Sequence, residues 1–119
     1  GDAQIENWQY ALNTPSLRRH LESISVYKVG HHGSLNATPK SLWNRWFPEG
    51  VRPAGDARRM ISLLSTLGGK HGHVTSDTEV PRSKLVNALK KHTDLRSTEG
   101  ILGAPYVDEI IITNHVPAP

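Results

Sequence analysis

The feature that most constrains the fold is the alternation of short apolar runs with longer amphipathic segments. In the clearest amphipathic segment, residues 81–92, Leu85, Val86 and Leu89 recur at helical spacing and form one face. The short runs contain β-branched residues and are bounded by glycine or polar residues, a pattern that favours strands over residues 24–29, 60–64 and 107–113. Strands that alternate with helices are typical of α/β proteins. The sequence therefore predicts an α/β fold.

Two short helices are expected before the first strand. Ile5, Trp8 and Leu12 form an apolar stripe at the start of the chain, and a core position is the simplest interpretation of the tryptophan. Leu17 and Leu21 give the next segment an inward face. The alternative interpretation of Trp8 is a platform for a ligand.

Residue types also predict the ends and the solvent-facing sides of the later helices. Thr38 is expected as an N-cap and Pro39 as the first helical residue of a helix that buries leucine and tryptophan. Four basic residues of the segment at 81–92 are expected to face water: Arg82, Lys84, Lys90 and Lys91.

Length and composition exclude several classes of protein. The chain of 119 residues has the length of about one domain, and no apolar run approaches the roughly 20 residues that span a bilayer. Because no signal pattern opens the sequence, we expect a cytoplasmic protein without a membrane partner. The absence of cysteine leaves His, Asp and Glu as metal ligands. The net charge of +3 comes from scattered basic residues, whereas a nucleic-acid-binding protein usually shows a denser patch.

The turn Gly-His-His-Gly-Ser at residues 30–34 is the first candidate site. It follows a predicted strand, and α/β proteins build their sites at the carboxyl ends of strands. The glycines permit tight backbone geometry, and a neutral histidine can ligate zinc or act as a general acid or base. The pattern indicates either a site at His31 and His32 or a polar loop that happens to contain two histidines.

Gly1-Asp2-Ala3 followed by Lys-Val-Gly-His-His-Gly-Ser at residues 28–34 resembles the C-terminal half of the metallo-β-lactamase superfamily. The likeness is closest to the metallohydrolase domain of competence (DNA-uptake) proteins. It implies half of an αββα sandwich, in which Asp2 bridges two metal ions and His32 ligates the second. It makes His31 a catalytic residue that faces the substrate, although the residues alone leave the roles of the two histidines open to exchange. The implied cofactor is zinc, and manganese or iron accept the same ligands.

The chain also departs from that family. The family carries most of its ligands on a His-x-His-x-Asp-His motif in an amino-terminal half, and this sequence contains no such motif. The nearest approach is His71 and His73 followed by Asp77, without the adjacent Asp-His. We interpret this segment either as a loop that borders a cleft, through Lys70, His71 and His73, or as an ordinary exposed loop.

The resemblance also bears on the organisation of the chain. The resemblance implies that residues 1–119 form a single C-terminal half-domain and that its partner is the amino-terminal half of the same protein. From the sequence itself, residues 114–119 are expected to form a frayed tail. The three remaining histidines are expected to be ordinary surface residues: His20, His92 and His115.

Two functions from different classes are consistent with these patterns. The first is a metal-dependent hydrolase of a phosphoester or related ester with a dinuclear centre. The second is a non-catalytic module that binds nucleic acid or another polyanion, in which the histidines are incidental. A relic of the fold that has lost its chemistry is a third, simpler interpretation.

The first prediction concerns the chain in isolation. We expect it to be catalytically inert, to hold metal poorly and to self-associate, because a zinc site normally needs three or four protein ligands and the resemblance supplies only Asp2, His32 and at most His31. Apolar surface without its covering layer would also drive association into a dimer. Light scattering, with esterase and phosphodiesterase assays at saturating zinc, checks both parts. A monomer that hydrolyses substrate and loses activity on substitution of Asp2 would contradict the prediction.

Overall fold

A computed structural model describes residues 3–34, 38–66, 81–100 and 109–111. Within these ranges the chain is an α/β protein, as the sequence pattern predicts. In chain order its elements are α1 (Ile5–Asn13), α2 (Pro15–Glu22), β1 (Val26–Lys28), α3 (Lys40–Trp46), β2 (Ile61–Leu64), α4 (Ser83–His92) and β3 (Asp94–Ser97). Short 3-10 turns follow β1 at His31–Gly33 and β3 at Thr98–Gly100. None of the described helices is long and apolar enough to cross a membrane.

The three strands form one parallel sheet in the order β1-β2-β3. Val26 pairs with Ile61 across β1 and β2, and Leu64 pairs with Ser97 across β2 and β3. Parallel neighbours cannot be joined by a tight turn, so each pair needs a crossover, which α3 and α4 provide. All three strands therefore end on one side of the sheet, here called the carboxyl edge, and begin on the opposite side, the amino edge.

An apolar core joins the sheet to the helices. Its buried members are Tyr27, Val29, Leu42, Trp46, Met60, Leu64 and Leu89. The rings of Tyr27 and Trp46 lie 4.8 Å apart between centroids, and the Trp46 indole N–H donates to the Leu21 carbonyl at 2.7 Å. The Trp46 ring is thus buried while its polar atom keeps a partner, which ties α2 to α3. Trp8 and Leu12 of α1 pack against the same core, as expected.

Buried polar groups join α4 to β3 at the amino edge. The Ser62 hydroxyl bonds that of Thr93, which in turn donates to the Leu89 carbonyl at 2.7 Å. The Arg59 side chain is 7% exposed, and its guanidinium donates to the Asp94 carboxylate at 2.8 Å and to the Thr93 carbonyl at 2.9 Å. A buried charge is costly unless it is paired and hydrogen-bonded. These bonds therefore satisfy the arginine and hold the junction between α4 and β3.

The strands differ in part from the sequence expectation. The strands predicted at residues 24–29 and 60–64 are present in shorter form, as β1 and β2. The sequence does not predict β3, because its only apolar residue is the half-buried Leu95. Of the strand predicted at residues 107–113, only residues 109–111 are described, and they are not in a strand; Ile111 is 80% exposed. A β-branched run forms a strand only where a partner and a packing surface are available.

The helix ends and two burial states also correct the sequence expectation. Pro39, not Thr38, is the N-cap of α3, because the Thr38 hydroxyl instead bonds the Tyr27 hydroxyl at 2.8 Å. Arg82 is buried rather than exposed: α4 begins at Ser83, so helical periodicity does not set the direction of the preceding side chain. Leu17, expected to face inward, is 42% exposed.

His92 is not the ordinary surface histidine that the sequence suggests. At the end of α4 its ring meets Trp43 nearly edge-on and Phe47 at a tilt, with centroid separations of 5.4 and 4.8 Å. Its Nδ1 is buried and makes no hydrogen bond within the described residues. Desolvation first, and then the charges of Lys91 and Arg59, lower the pKa of this imidazole from its ordinary value of 6.5. By contrast His20 is exposed, as expected, and His115 lies outside the described residues.

The second prediction follows from this environment. A histidine whose pKa is lower in the folded state takes up its proton more readily when unfolded, so stability falls as the pH drops from 6.5 through the folded pKa. We expect urea denaturation to show lower stability at about pH 5 than at about pH 7.5, and His92→Phe to reduce that difference. His20→Ala is the control and should leave it unchanged. An equal pH dependence in wild type and His92→Phe would contradict the assignment.

Candidate functional site

The histidine turn lies at the carboxyl edge of the sheet. The Val29 N–H donates to the Leu63 carbonyl at 2.8 Å and extends the pairing of β1 with β2 by one bond. The chain then reverses in a single 3-10 turn, in which the Gly33 N–H donates to the Gly30 carbonyl at 2.9 Å. This turn places His31 beside the ends of the strands, as the sequence pattern indicates.

The backbone of the turn is strained. His31 and His32 have φ angles of 45° and 51°, and among the described residues they are the only non-glycine residues with positive φ. The left-handed region costs about 1–2 kcal/mol for a residue that carries a Cβ atom. Backbone held in such a region has to be supported by its surroundings and is concentrated at active sites and ligand-binding segments. Two adjacent strained histidines therefore indicate a functional turn more strongly than their residue types alone.

The start of α4 supports this turn. The Arg82 N–H donates to the Gly33 carbonyl at 2.8 Å, and Gly33 itself is buried with a φ of 82°. A Cβ atom on Gly33 would lie 2.9 Å from Cβ of Pro81 and 3.2 Å from Cδ1 of Leu64. Only glycine fits here, because the position combines positive φ with close packing on both neighbours.

His32 is oriented by a backbone hydrogen bond. Its Nδ1 lies 2.7 Å from the Ser65 carbonyl oxygen, at the end of β2. Because a carbonyl oxygen only accepts, Nδ1 carries the hydrogen and Nε2 of the neutral ring keeps its lone pair. The side chain is exposed. Metal-binding histidines commonly donate their second ring nitrogen to a carbonyl or carboxylate, so the chemistry of His32 fits that of a metal ligand. His31 is half-buried and stands immediately before it.

The remaining predicted site residues lie outside the described ranges: Asp2, Lys70, His71 and His73. Among the residues that the structure does describe, no group of three or more His, Asp or Glu side chains could hold a metal ion. The described part of the site therefore fits one imidazole ligand, His32, with a second imidazole adjacent to it.

Two contributors to the site are not evident from the sequence. The Ser65 carbonyl orients His32, and Thr98, in the turn after β3, binds the backbone of Thr66. A backbone carbonyl has no residue-type signature, and a threonine after a strand is common. The only available signal is position, since residues that follow adjacent parallel strands meet at one edge of the sheet.

A cleft of about 380 Å³ lies at the amino edge and is lined by several arginines. Three of them are paired: Arg45 with Glu22 at 2.7 Å, Arg58 with Asp56 at 2.9 Å, and Arg59 with Asp94 at 2.8 Å.

The consequence of this pairing is clearest at Asp56. Hydrogen bonds from the Arg58 side chain and backbone lower the pKa of the Asp56 carboxyl to about 2. Most of the positive charge at the amino edge is therefore neutralised within the chain, and this cleft offers little excess charge to an anionic ligand.

Comparison of the chain with protein-family models, with curated proteins and with solved structures finds no match.

The third prediction tests the support of the histidine turn. Gly33→Ala should destabilise the protein by the left-handed cost of about 1–2 kcal/mol and by a further 1–3 kcal/mol, roughly, from the clash with Pro81 and Leu64. Gly50→Ala is the matched control, because Gly50 has a φ of 86° but no described heavy atom within 4 Å of the point that an added Cβ would occupy. Chemical denaturation of both variants measures the difference. Equal losses of stability would show that Gly33 is not closely packed.

Proposed function

We propose that the chain is the C-terminal half of a metallo-β-lactamase-fold hydrolase and contributes His32 to a metal centre that cleaves a phosphoester or related ester. The observation that carries this proposal is the state of His32 at the carboxyl edge of the sheet. Its Nδ1 donates a hydrogen bond to the Ser65 carbonyl at 2.7 Å. The residue is exposed, so Nε2 is the ring nitrogen that can bind a metal.

The proposed centre takes Asp2 as the carboxylate shared by two metal ions and His32 as a ligand of the second. Zinc suits this mixture of carboxylate and imidazole ligands, as do manganese and iron. A bound zinc ion would supply Lewis-acid polarisation of the scissile group. The remaining ligands would come from the amino-terminal half that the resemblance implies.

His31 has a different proposed role. It is half-buried and precedes the ligand in the same strained turn. An N–H donor fixed in that position would stabilise negative charge that develops on a substrate oxygen, an effect typically worth about 3–4 kcal/mol. The contacts that support the strained backbone would, in this scheme, also hold both histidines in position.

Lys70, His71 and His73 are proposed to border a cleft beside the histidine turn. Support for this comes from chain order: they follow shortly after Ser65 and Thr66, which lie at the carboxyl edge beside the histidine turn. The charged side chain of Lys70 and the imidazoles would suit an anionic substrate.

The fourth prediction separates the roles of the two histidines in the protein expressed from the full coding sequence. His32→Ala should lower both metal content and turnover, because it removes a ligand. His31→Ala should leave metal content nearly intact and lower turnover by roughly 100- to 1,000-fold, because it removes an oxyanion donor. Metal analysis after purification from zinc-supplemented cells and hydrolysis of a chromogenic phosphodiester measure the two effects.

His20→Ala is the matched control, since His20 Nδ1 also bonds a backbone carbonyl, that of Ser16, at 2.7 Å but lies on the exposed face of α2. It should change neither quantity. Equal metal retention in the His31 and His32 variants, or the reverse order, would contradict the assignment. Salt-sensitive binding of a polyanion that ignores both substitutions would instead support the non-catalytic binding module.

A further inference from the structure

The connection between β2 and β3 continues beyond the last strand pair through a side chain. Leu64 and Ser97 form the final pair of the parallel ladder. One step further, the Thr98 hydroxyl accepts a hydrogen bond from the Thr66 N–H at 2.8 Å and donates to the Thr66 carbonyl at 2.8 Å. The hydroxyl thus provides both the donor and the acceptor that a neighbouring backbone would otherwise supply.

One of these two hydrogen bonds holds the same peptide group that orients His32. The Ser65 carbonyl and the Thr66 N–H belong to one peptide unit, which is planar and trans, so the two groups point in opposite directions. The N–H end is held by Thr98, and the carbonyl end accepts the hydrogen bond from His32 Nδ1 at 2.7 Å. Any rotation of this peptide plane would therefore break both hydrogen bonds together.

We propose that Thr98 is a positioning residue for His32. Its hydroxyl fixes the peptide plane between Ser65 and Thr66, and the fixed carbonyl holds the neutral imidazole in the Nδ1–H form that leaves Nε2 free of hydrogen. This relay consists of two hydrogen bonds in the structure, from the Thr66 N–H to Thr98 and from His32 Nδ1 to the Ser65 carbonyl. Its consequence for metal affinity rests on the proposed function. Thr98 itself is exposed, so substituting it removes little from the core.

The fifth prediction tests the relay by the nitrogen-15 chemical shifts of the His32 ring, assigned with His32→Asn, at a pH where the ring is neutral. Wild type should show Nδ1 protonated and Nε2 unprotonated. Thr98→Val, which removes the hydroxyl but keeps the shape, should give a mixture of the two neutral forms. Thr98→Ser, which restores the hydroxyl, should return the wild-type pattern.

Ser97→Ala is the matched control. The Ser97 hydroxyl accepts from the Glu99 N–H at 3.2 Å, a contact apart from the peptide group beside His32, so its removal should leave the ring unchanged. A wild-type ring protonated at Nε2 would overturn the proposal, as would a folded Thr98→Val protein with wild-type ring shifts. If Thr98→Val does not fold, Thr98→Ala, which also removes the hydroxyl but places no methyl group against the Thr66 backbone, and the wild-type measurement apply the same criteria.

Titration of the protein expressed from the full coding sequence with zinc ions distinguishes this proposal from the proposed function. If both hold, Thr98→Val should weaken zinc binding by roughly tenfold, the lower end of the effect seen when a partner of a ligating histidine is lost. If Thr98→Val changes the tautomer of the His32 ring but no variant shows zinc binding that depends on His32, the role of Thr98 is supported and the metal centre is overturned. Zinc binding that depends on His32 with no response of the ring to Thr98→Val would overturn the role of Thr98 alone.

Discussion

The parallel pairing of β2 with both of its neighbours is the constraint on which the rest of the structure depends. It requires α3 and α4 as crossovers, and these helices bring Leu42 and Leu89 into the core that covers the sheet. It also makes the strands end together, so that the turn after β1 meets the segment that follows β2. The bond from His32 to Ser65 joins residues 33 positions apart and exists only because of this pairing.

The two edges of the sheet differ in how their polar groups are satisfied. At the amino edge, arginines are paired with carboxylates and with carbonyls at the end of α4, as Arg59 shows, and these contacts serve stability. At the carboxyl edge, two histidines occupy strained backbone that the packing of Gly33 and the bond from Arg82 support. The carboxyl edge therefore contains strained backbone, whereas the contacts at the amino edge stabilise the fold. Strained backbone that is supported by the surrounding structure is concentrated at functional sites.

The sequence pattern predicts the helices well and the strands less well. Apolar residues at helical spacing identify α1 to α4, because each helix packs some of its regularly spaced apolar residues against the core. The strands are short, and β3 carries a single apolar residue between Asp94 and Arg96, so its place beside β2 cannot be recognised locally. Arg82 and His92 are misplaced for a related reason: both stand at helix ends, where the direction of a side chain depends on neighbouring elements.

The residue types alone determine that this chain forms an α/β protein and that a glycine-flanked pair of histidines follows its first strand. They also limit the chemistry, since two imidazoles on a turn that permits positive φ can bind metal or move protons. They cannot specify which ring nitrogen of His32 carries hydrogen, because that depends on the Ser65 carbonyl, and the orientation of that carbonyl depends on Thr98. Local sequence sets backbone preferences and apolar faces, whereas these contacts arise between distant segments and come together only when the sheet has formed.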